Sequence, residues 1–275
     1  MTKSAAGRAD PVLILGATSG IARALAISLA AAGHPLMLAA RPPEALEPEA
    51  LEEEARQPEA LEEEARALER RYGVTVSIHS FDALQTDSIE AFYDQLPVQP
   101  SIVVCAVGAL PCQVKAAGGA ERASKVVASN LLGPALYLEA AARRLVKCDG
   151  RTAIVGISSL AGERGRAKNY WYGAGKAGLT VVLSGLRQTY AGTKLLVMTV
   201  KPVYVATRMI KGKNTPRWLT ETPEAIAERI HQGIIRRRRI VSGRWSWMIM
   251  TVITTMPERL FEILPLFSRF MGRKG

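Results

Sequence analysis

A chain of 275 residues with 48% apolar residues is long enough for one large α/β domain, or two small ones, with a sizeable core. Its three cysteines, Cys105, Cys112 and Cys148, form no CxxC pair, which argues against a disulfide framework. The first ten residues carry no apolar run, so the sequence predicts no secretory signal and a cytoplasmic protein.

The formal net charge of +11 is unevenly distributed along the chain. Residues 44–69 hold 11 acids against two arginines, whereas the last 75 residues hold 15 lysines and arginines against five acids. A basic surface of this kind suits nucleic acid, a phosphate-bearing substrate or an anionic membrane, or is simply solvated.

Short apolar runs without two-residue alternation predict buried parallel strands. They lie at residues 12–15, 36–40, 74–79, 102–105, 152–157, 195–200 and 240–242. Helical stretches alternate with them, at residues 21–32, 43–72, 88–95, 121–146, 172–189 and 223–236. This alternation predicts an α/β fold with a doubly wound parallel sheet.

The longest predicted helix contains a tandem decapeptide repeat, at residues 48–57 and 58–67. Ten residues make about 2.8 helical turns, so the second copy does not keep the buried face of the first in phase. We predict an acidic, solvent-exposed helix that carries no chemistry and is kinked or restarted at Pro58.

A glycine-containing turn, from Gly16 to Gly20, joins the first predicted strand to the first helix. Such a turn brings backbone N–H groups to a pyrophosphate at a helix N-terminus, and a turn needed only for packing is the alternative. Arg41 follows the second strand, and residues 36–40 contain no acid for the ribose 2′-hydroxyl of NAD. A basic residue here favours the 2′-phosphate of NADP, unless Arg41 is an ordinary surface residue.

Tyr172 and Lys176 are four residues apart in a predicted helix, which places both side chains on one face. We expect the lysine ammonium to lower the pKa of the phenol from about 10 and so make Tyr172 a general acid for a carbonyl oxygen. Ser159 lies 13 residues earlier, directly after an apolar strand.

Together these motifs resemble the short-chain dehydrogenase/reductase family over about residues 12–241. The resemblance implies a single Rossmann domain of about seven strands, NADP as cofactor, and a homodimer or homotetramer. It implies that Asn130 holds a proton-relay water, Ser159 orients the carbonyl, and Lys176 assists Tyr172. It further implies cofactor contacts from Gly16, Ser19, Gly20, Ile21, Arg41, Asp82, Ala83, Ala106, Gly108, Tyr172, Lys176, Pro202, Val205 and Thr207.

The sequence departs from the family pattern at two places that face the cofactor. The family's Asn-Asn-Ala-Gly is replaced by residues 105–108, which keep Gly108 where the ribose passes. Its Pro-Gly is replaced by Pro202-Val203, and the β-branched Val203 disfavours positive φ.

A narrower resemblance rests on residues 158–166, 169–173, 247–250 and 256–261, which are similar to reductases of decaprenylphosphoryl-2-keto-erythro-pentose. It implies a keto sugar carried on a prenyl-phosphate lipid as substrate. Arg164, Arg166 and Lys168 would then meet the substrate phosphate.

The sequence predicts a catalytic domain over residues 1–243, with an acidic insert at 48–67 and a substrate lobe at about 204–237. Residues 244–275 form an apolar and basic helical extension whose apolar run is shorter than the roughly 20 residues that span a bilayer. This extension either lies at the inner face of the membrane through residues 245–275, or packs on its own domain or another subunit.

We therefore predict NADPH-dependent reduction of a ketone to an alcohol. A soluble carbonyl or acyl-thioester reductase would use the same catalytic residues, and a non-enzymatic NADP-binding protein that docks on the membrane is a second alternative. No nucleic-acid partner is predicted. No metal is predicted either, because the histidines are far apart in the sequence.

Overall fold

The computed structural model describes residues 9–42, 57–110, 119–212, 215–244 and 246–263. Its strands are β1 (Val12–Leu15), β2 (Leu36–Ala40), β3 (Val76–Ser80), β4 (Ile102–Cys105), β5 (Thr152–Ile157), β6 (Leu195–Lys201), β7 (Tyr204–Val205), β8 (Thr220–Glu221) and β9 (Ile240–Ser242). Seven of them form one parallel sheet in the order β3-β2-β1-β4-β5-β6-β9, and β7 and β8 form a separate pair.

Helices cover both faces of this sheet. They are α1 (Gly20–Ala31), α2 (Gln57–Tyr72), α3 (Ile89–Asp94), α4 (Ala120–Val127), α5 (Gly133–Leu145), α6 (Tyr170–Thr189), α7 (Pro223–Ile235) and α8 (Ser246–Thr255). Apolar residues of α1, α2 and α7 pack on one face of the sheet, and those of α3, α5 and α6 pack on the other. The single doubly wound domain with seven parallel strands and a C-terminal helix is therefore confirmed.

The central strands are apolar on both sides because each side faces a helical layer. In β1, Val12 and Ile14 join one core cluster while Leu13 and Leu15 join the other, and all four are fully buried. The strand order reverses between β1 and β4, and at such a point a doubly wound sheet forms a crevice beyond the carboxyl ends of the two strands. Ligands of doubly wound sheets bind in such crevices.

The repeat-containing helix is less exposed than the sequence suggested. Helix α2 runs from Gln57 to Tyr72 and contains the second copy of the repeat. Leu61, Ala65 and Leu68 are buried against the core, so one face of the second copy packs rather than facing water. The first copy lies outside the described residues, apart from its last position.

Helix α8 leaves the domain after β9 and is the first part of the extension. Ile249, Ile253 and Met256 are half-buried along one side of this segment, while Met248 and Val252 are exposed on the other. Among the described residues no helix has the length and apolar character needed to span a membrane.

Candidate functional site

The glycine turn after β1 is shaped by contacts that leave no room for side chains. Gly16 has φ +78°, and a Cβ there would lie 3.1 Å from the Val107 backbone nitrogen. A Cβ on Gly20 would lie 2.7 Å from Cγ2 of Thr207, so the turn and the Thr207 loop are in contact. Ser19 Oγ accepts the Ala22 N–H at 3.2 Å, and the first turn of α1 contains no acid. The positive end of the helix dipole is therefore available to an anion.

The remaining predicted cofactor residues follow the carboxyl ends of neighbouring strands. Arg41 is exposed directly after β2. After β3, the Asp82 carboxylate accepts the Leu84 N–H at 2.9 Å. After β4, the Ala106 N–H donates to the Leu15 carbonyl at 2.8 Å, which fixes the start of the 105–108 segment beside the glycine turn.

The loop after β6 adopts an unstrained path despite its departure from the family pattern. Pro202 and Val205 are buried. Arg237 is the only non-glycine residue with positive φ in the described part of the chain, so Val203 does not need the conformation that its β-branched side chain disfavours.

Helix α6 presents Tyr172 and Lys176 to the crevice, as the four-residue spacing predicted. Both side chains are buried, and Lys176 Nζ lies 5.9 Å from the centre of the Tyr172 ring. Lys176 Nζ donates to the backbone carbonyls of Val107 at 3.0 Å and Ile157 at 2.9 Å. These two contacts hold the ammonium beside Gly108, where a Cβ would lie 3.0 Å from it.

Ser159 contacts the phenol of Tyr172. Its Oγ accepts the Ala161 N–H at 3.1 Å, and its hydroxyl proton remains available to the phenol oxygen or to a substrate oxygen. When Ser159 donates to the phenol oxygen, the phenol proton of Tyr172 is left for another acceptor.

The expected lowering of the Tyr172 pKa is wrong for this structure. The pKa of Tyr172 is raised, because burial removes the water that would stabilise a phenolate, and the Ser159 hydrogen bond and the Arg166 charge offset this only in part. Burial also lowers the pKa of Lys176 to about 8. The sequence gives the spacing of the two groups but not the depth at which they are buried.

Asn130 lies in a break in helical geometry that the sequence did not reveal. Residues Ala128–Leu132 form one π-helical turn between α4 and α5. The Asn130 amide donates to the carbonyls of Ala109 at 2.8 Å and Val126 at 2.9 Å. Its Oδ1 is buried and has no hydrogen-bond partner among the described residues, so it is left to accept from a ligand or water. Single π-helical turns of this kind often occur at functional sites.

Arg164 does not serve the role that the sequence suggested, because it holds the C-terminal segment. Its Nη1 donates to the carbonyls of Ile253 at 2.8 Å and Met256 at 2.6 Å, at the end of α8. Its Nη2 pairs with Glu258 at 2.5 Å, and its guanidinium lies 4.0 Å from the centre of the Phe261 ring. These contacts occupy the guanidinium, so it is not free to bind a substrate phosphate.

A second ion pair that sequence reasoning missed joins the Ser159 loop to the Thr207 loop. Lys201 Nζ lies 2.6 Å from Glu163 Oε1, and both side chains are largely buried. The Leu160 N–H donates to the Pro202 carbonyl at 3.0 Å. No local pattern marks this pair, because its members are 38 residues apart.

Comparisons with known proteins agree with this geometry. A family model described as short chain dehydrogenase matches residues 10–218. The chain is 32% identical to an uncharacterized oxidoreductase of Mycobacterium tuberculosis over 277 residues, which cover 97% of each chain. It is 30% identical to the (3R)-3-hydroxyacyl-CoA dehydrogenase of Mus musculus over 206 residues, covering 74% of this chain and 76% of that protein.

The fold also matches a solved short-chain dehydrogenase from Sphingobium yanoikuyae in complex with NADPH. The TM-score is 0.69 at 22% identity, and the match covers 90% of this chain and 97% of the other. The chain therefore belongs to the short-chain dehydrogenase family of oxidoreductases.

Proposed function

We propose that this protein reduces a ketone to an alcohol with NADPH, with Tyr172 as the proton donor. The observation that carries the proposal is the convergence of three buried side chains, with Ser159 beside the Tyr172 phenol and Lys176 Nζ 5.9 Å from the centre of the Tyr172 ring. A phenol that accepts from Ser159 keeps its own proton to give to a carbonyl oxygen.

The residues present fit a dinucleotide. The turn from Gly16 to Gly20 has backbone positions that only glycine fills, next to a helix N-terminus without acids. Arg41 would meet the 2′-phosphate, Asp82 the adenine, and Thr207 the nicotinamide end. Bound there, the cofactor supplies the hydride that adds to the carbonyl carbon.

In the proposed mechanism the protein holds the carbonyl and delivers one proton. When the ketone binds, the Ser159 hydroxyl turns from the phenol and donates its hydrogen to the carbonyl oxygen, and Tyr172 transfers its phenol proton to the same oxygen as the alcohol forms. Lys176, held by the carbonyls of Val107 and Ile157, stabilises the phenolate that remains. Asn130 Oδ1 accepts from the water that returns a proton.

The cofactor preference is tested at Arg41. A charge-assisted contact to the 2′-phosphate is worth about 1.5–3 kcal/mol, so Arg41→Ala is expected to weaken NADPH binding by about 10- to 100-fold and to leave NADH binding nearly unchanged. Fluorescence titration of both cofactors measures this. Equal affinities for NADPH and NADH in the parent protein would contradict the assignment.

Two substrate classes follow from different observations. The narrower sequence resemblance supports a keto sugar on a prenyl-phosphate lipid, approached by an enzyme whose residues 245–275 contact the inner face of the membrane. The identity to a mammalian 3-hydroxyacyl-CoA dehydrogenase supports a 3-ketoacyl thioester instead. The oxidoreductase relatives favour either one over a non-enzymatic NADP-binding protein. As in the sequence prediction, we propose a homodimer or homotetramer.

One assay compares these classes. The loss of NADPH absorbance is followed with a prenyl-phosphate keto sugar, a 3-ketoacyl thioester and a small cyclic ketone. Tyr172→Phe is included as the blank for turnover that does not use the proposed acid. Turnover of the thioester at kcat/KM values above the lipid-linked sugar would exclude the narrower assignment, and no turnover of any ketone would contradict the proposed function itself.

A further inference from the structure

A cavity of about 200 Å³ opens at the edge of the sheet where the strands begin, opposite the catalytic residues. Apolar side chains of α1 and α7 and the first residues of β4 and β5 line it. Four basic side chains, those of His34, Arg151, His231 and Arg237, also line it, and Asp10 contributes an exposed carboxylate. None of these residues belongs to the cofactor or catalytic motifs.

Arg237 occupies a backbone position that normally belongs to glycine. Its φ is +52°, and no other non-glycine residue of the described chain has a positive φ. The Arg237 N–H donates to the Ile234 carbonyl at 3.1 Å and the Arg238 N–H to that of Gly233 at 2.8 Å, which is the hydrogen-bond pattern that ends a helix with a left-handed residue. An arginine in a conformation that glycine adopts without strain makes its side chain a candidate for a specific contact.

The guanidinium groups of Arg151 and Arg237 lie close enough at this cavity for their charges to interact. Burial and the nearby charge of Arg151 both lower the pKa of Arg237. Among the described residues, no acid forms an ion pair with Arg151 or Arg237. Arg237 Nη2 donates to the Lys194 carbonyl at 2.6 Å. This bond directs the guanidinium along the strand edge but leaves its positive charge in place.

His34 and His231 both line this cavity although they are far apart in the sequence. Their ring centres are 6.1 Å apart, and the two ring planes are nearly perpendicular. His231 Nδ1 lies 2.8 Å from Ser28 Oγ, and His34 Nδ1 lies 2.8 Å from the Asp10 carbonyl. The His34 Nδ1–H donates to the Asp10 carbonyl, so Nε2 of a neutral His34 is an acceptor. When Ser28 donates to His231 Nδ1, the Nε2–H of His231 is left as a donor for a ligand.

We propose that this cavity binds a small divalent oxyanion, a phosphate monoester with a short apolar group. The two guanidinium groups match the charge and the several oxygen atoms of a phosphate better than those of a single carboxylate. The apolar lining accommodates the organic part. The site is separate from the proposed active site and does not depend on the proposed function.

Isothermal titration of the full-length protein with n-butyl phosphate, at constant ionic strength, tests the proposal. Arg151→Ala and Arg237→Gly are each expected to weaken binding at least about tenfold, since each loses a charge-assisted contact. Arg237→Gly also relieves the left-handed strain, so its melting temperature without ligand is expected to rise while the ligand-induced increase is lost. Arg236→Ala, which changes the neighbouring exposed arginine outside the cavity, is expected to leave binding unchanged.

Three results would overturn the proposal. One is the absence of binding to the parent protein at millimolar n-butyl phosphate. Another is binding that Arg151→Ala and Arg237→Gly leave intact, because the anion would then sit elsewhere, for example at the glycine turn. The third is a lower melting temperature in Arg237→Gly with unchanged affinity, which would reduce Arg237 to a structural bridge to the Lys194 carbonyl.

Discussion

Tyr172 is the residue on which the proposed chemistry depends. Tyr172→Phe removes one hydroxyl from a buried ring and keeps its apolar contacts, so folding and NADPH binding are expected to survive. Turnover is expected to fall at least about 100-fold, because general acid catalysis contributes at least that much. Steady-state kinetics with the preferred ketone measure the loss, and near-parental kcat would assign the proton donor to another group.

The burial of Lys176 leads to a prediction about how the stability of the protein depends on pH. Burial lowers its pKa from 10.5 to about 8, so between those pH values the unfolded chain binds a proton that the folded chain has released. The contribution of Lys176 to the free energy of unfolding is therefore smallest below pH 8 and rises as the pH increases to 10.5. The free energy of unfolding of the parent minus that of Lys176→Met is therefore expected to increase by on the order of 3 kcal/mol between about pH 8 and pH 10.5.

Urea denaturation from pH 7.5 to 10.5 measures that difference. Lys168→Met removes an exposed lysine from the loop before α6 and serves as the control for loss of one positive charge. A difference curve for Lys176→Met that is as flat as the control curve would mean that Lys176 is hydrated in the folded protein, contrary to its burial here.

At the scale of the elements, α6 fits the site because its glycines let it approach other backbones. A Cβ on Gly175 would lie 2.8 Å from the Cβ of Asn130, whereas a Cβ on Gly185 in the same helix meets nothing within 4 Å. Gly175→Ala is expected to destabilise the protein by about 1–3 kcal/mol through overpacking and to displace Asn130. Gly185→Ala is expected to stabilise it by about 0.5–1 kcal/mol.

Thermal unfolding and turnover, measured for Gly175→Ala and Gly185→Ala, separate the effect of packing from the effect of helix propensity. Gly175→Ala is expected to lose both stability and activity, while Gly185→Ala gains stability at parental activity. Equal stability changes in the two variants would mean that the contact between α6 and the π-helical turn is loose.

The elements that could be predicted from the sequence are those fixed by local patterns. The predicted bounds of β1, β2, β4 and β5 agree with the structure, because strands buried on both faces give continuous apolar runs. The glycine turn and the spacing of Tyr172 and Lys176 are likewise local. The π-helical turn at Asn130 could not be predicted, since it is set by packing against α6 and by the Ala109 carbonyl.

Contacts between distant segments could not be predicted either. Arg164 was expected to meet a substrate phosphate, but it binds carbonyls 89 and 92 residues later. The pKa of Tyr172 was expected to fall because a lysine is near, and it rises because burial outweighs the Ser159 hydrogen bond and the Arg166 charge. Both expectations required a knowledge of what surrounds the side chain, which a spacing rule does not contain.

At the scale of the whole molecule, both ends of α8 are tied to loops at the catalytic edge of the sheet. The Arg244 N–H before the helix donates to Glu221 Oε1 at 2.7 Å, and Arg164 binds the carbonyls at its end. The side of the segment that faces away from the domain carries Met248 and Val252, followed by exposed Leu260 and Ile263. This is the surface that would meet a membrane interface.

The corresponding prediction is reversible binding to anionic vesicles. Exposed apolar side chains would enter the interface, and each nearby arginine adds about 1 kcal/mol against an anionic leaflet, so binding is expected to weaken as salt increases. Deletion of residues 245–275 is expected to abolish it while NADPH binding survives, because the predicted cofactor residues precede this segment. Arg164→Ala frees the half-buried side of α8, with Ile249 and Ile253, and is expected to strengthen vesicle binding.

Flotation of the parent, the truncated chain and Arg164→Ala with vesicles of phosphatidylglycerol measures these differences. Arg259→Ala, at an exposed position of the same segment, is the matched control, and it is expected to weaken binding by the contribution of one charge. A parent protein that stays unbound at low salt, and whose truncation instead dissociates an oligomer in sedimentation, would show that the segment packs between subunits. A soluble ketone or a 3-ketoacyl thioester would then be the better substrate assignment, because a lipid-linked keto sugar requires the enzyme to reach the membrane surface.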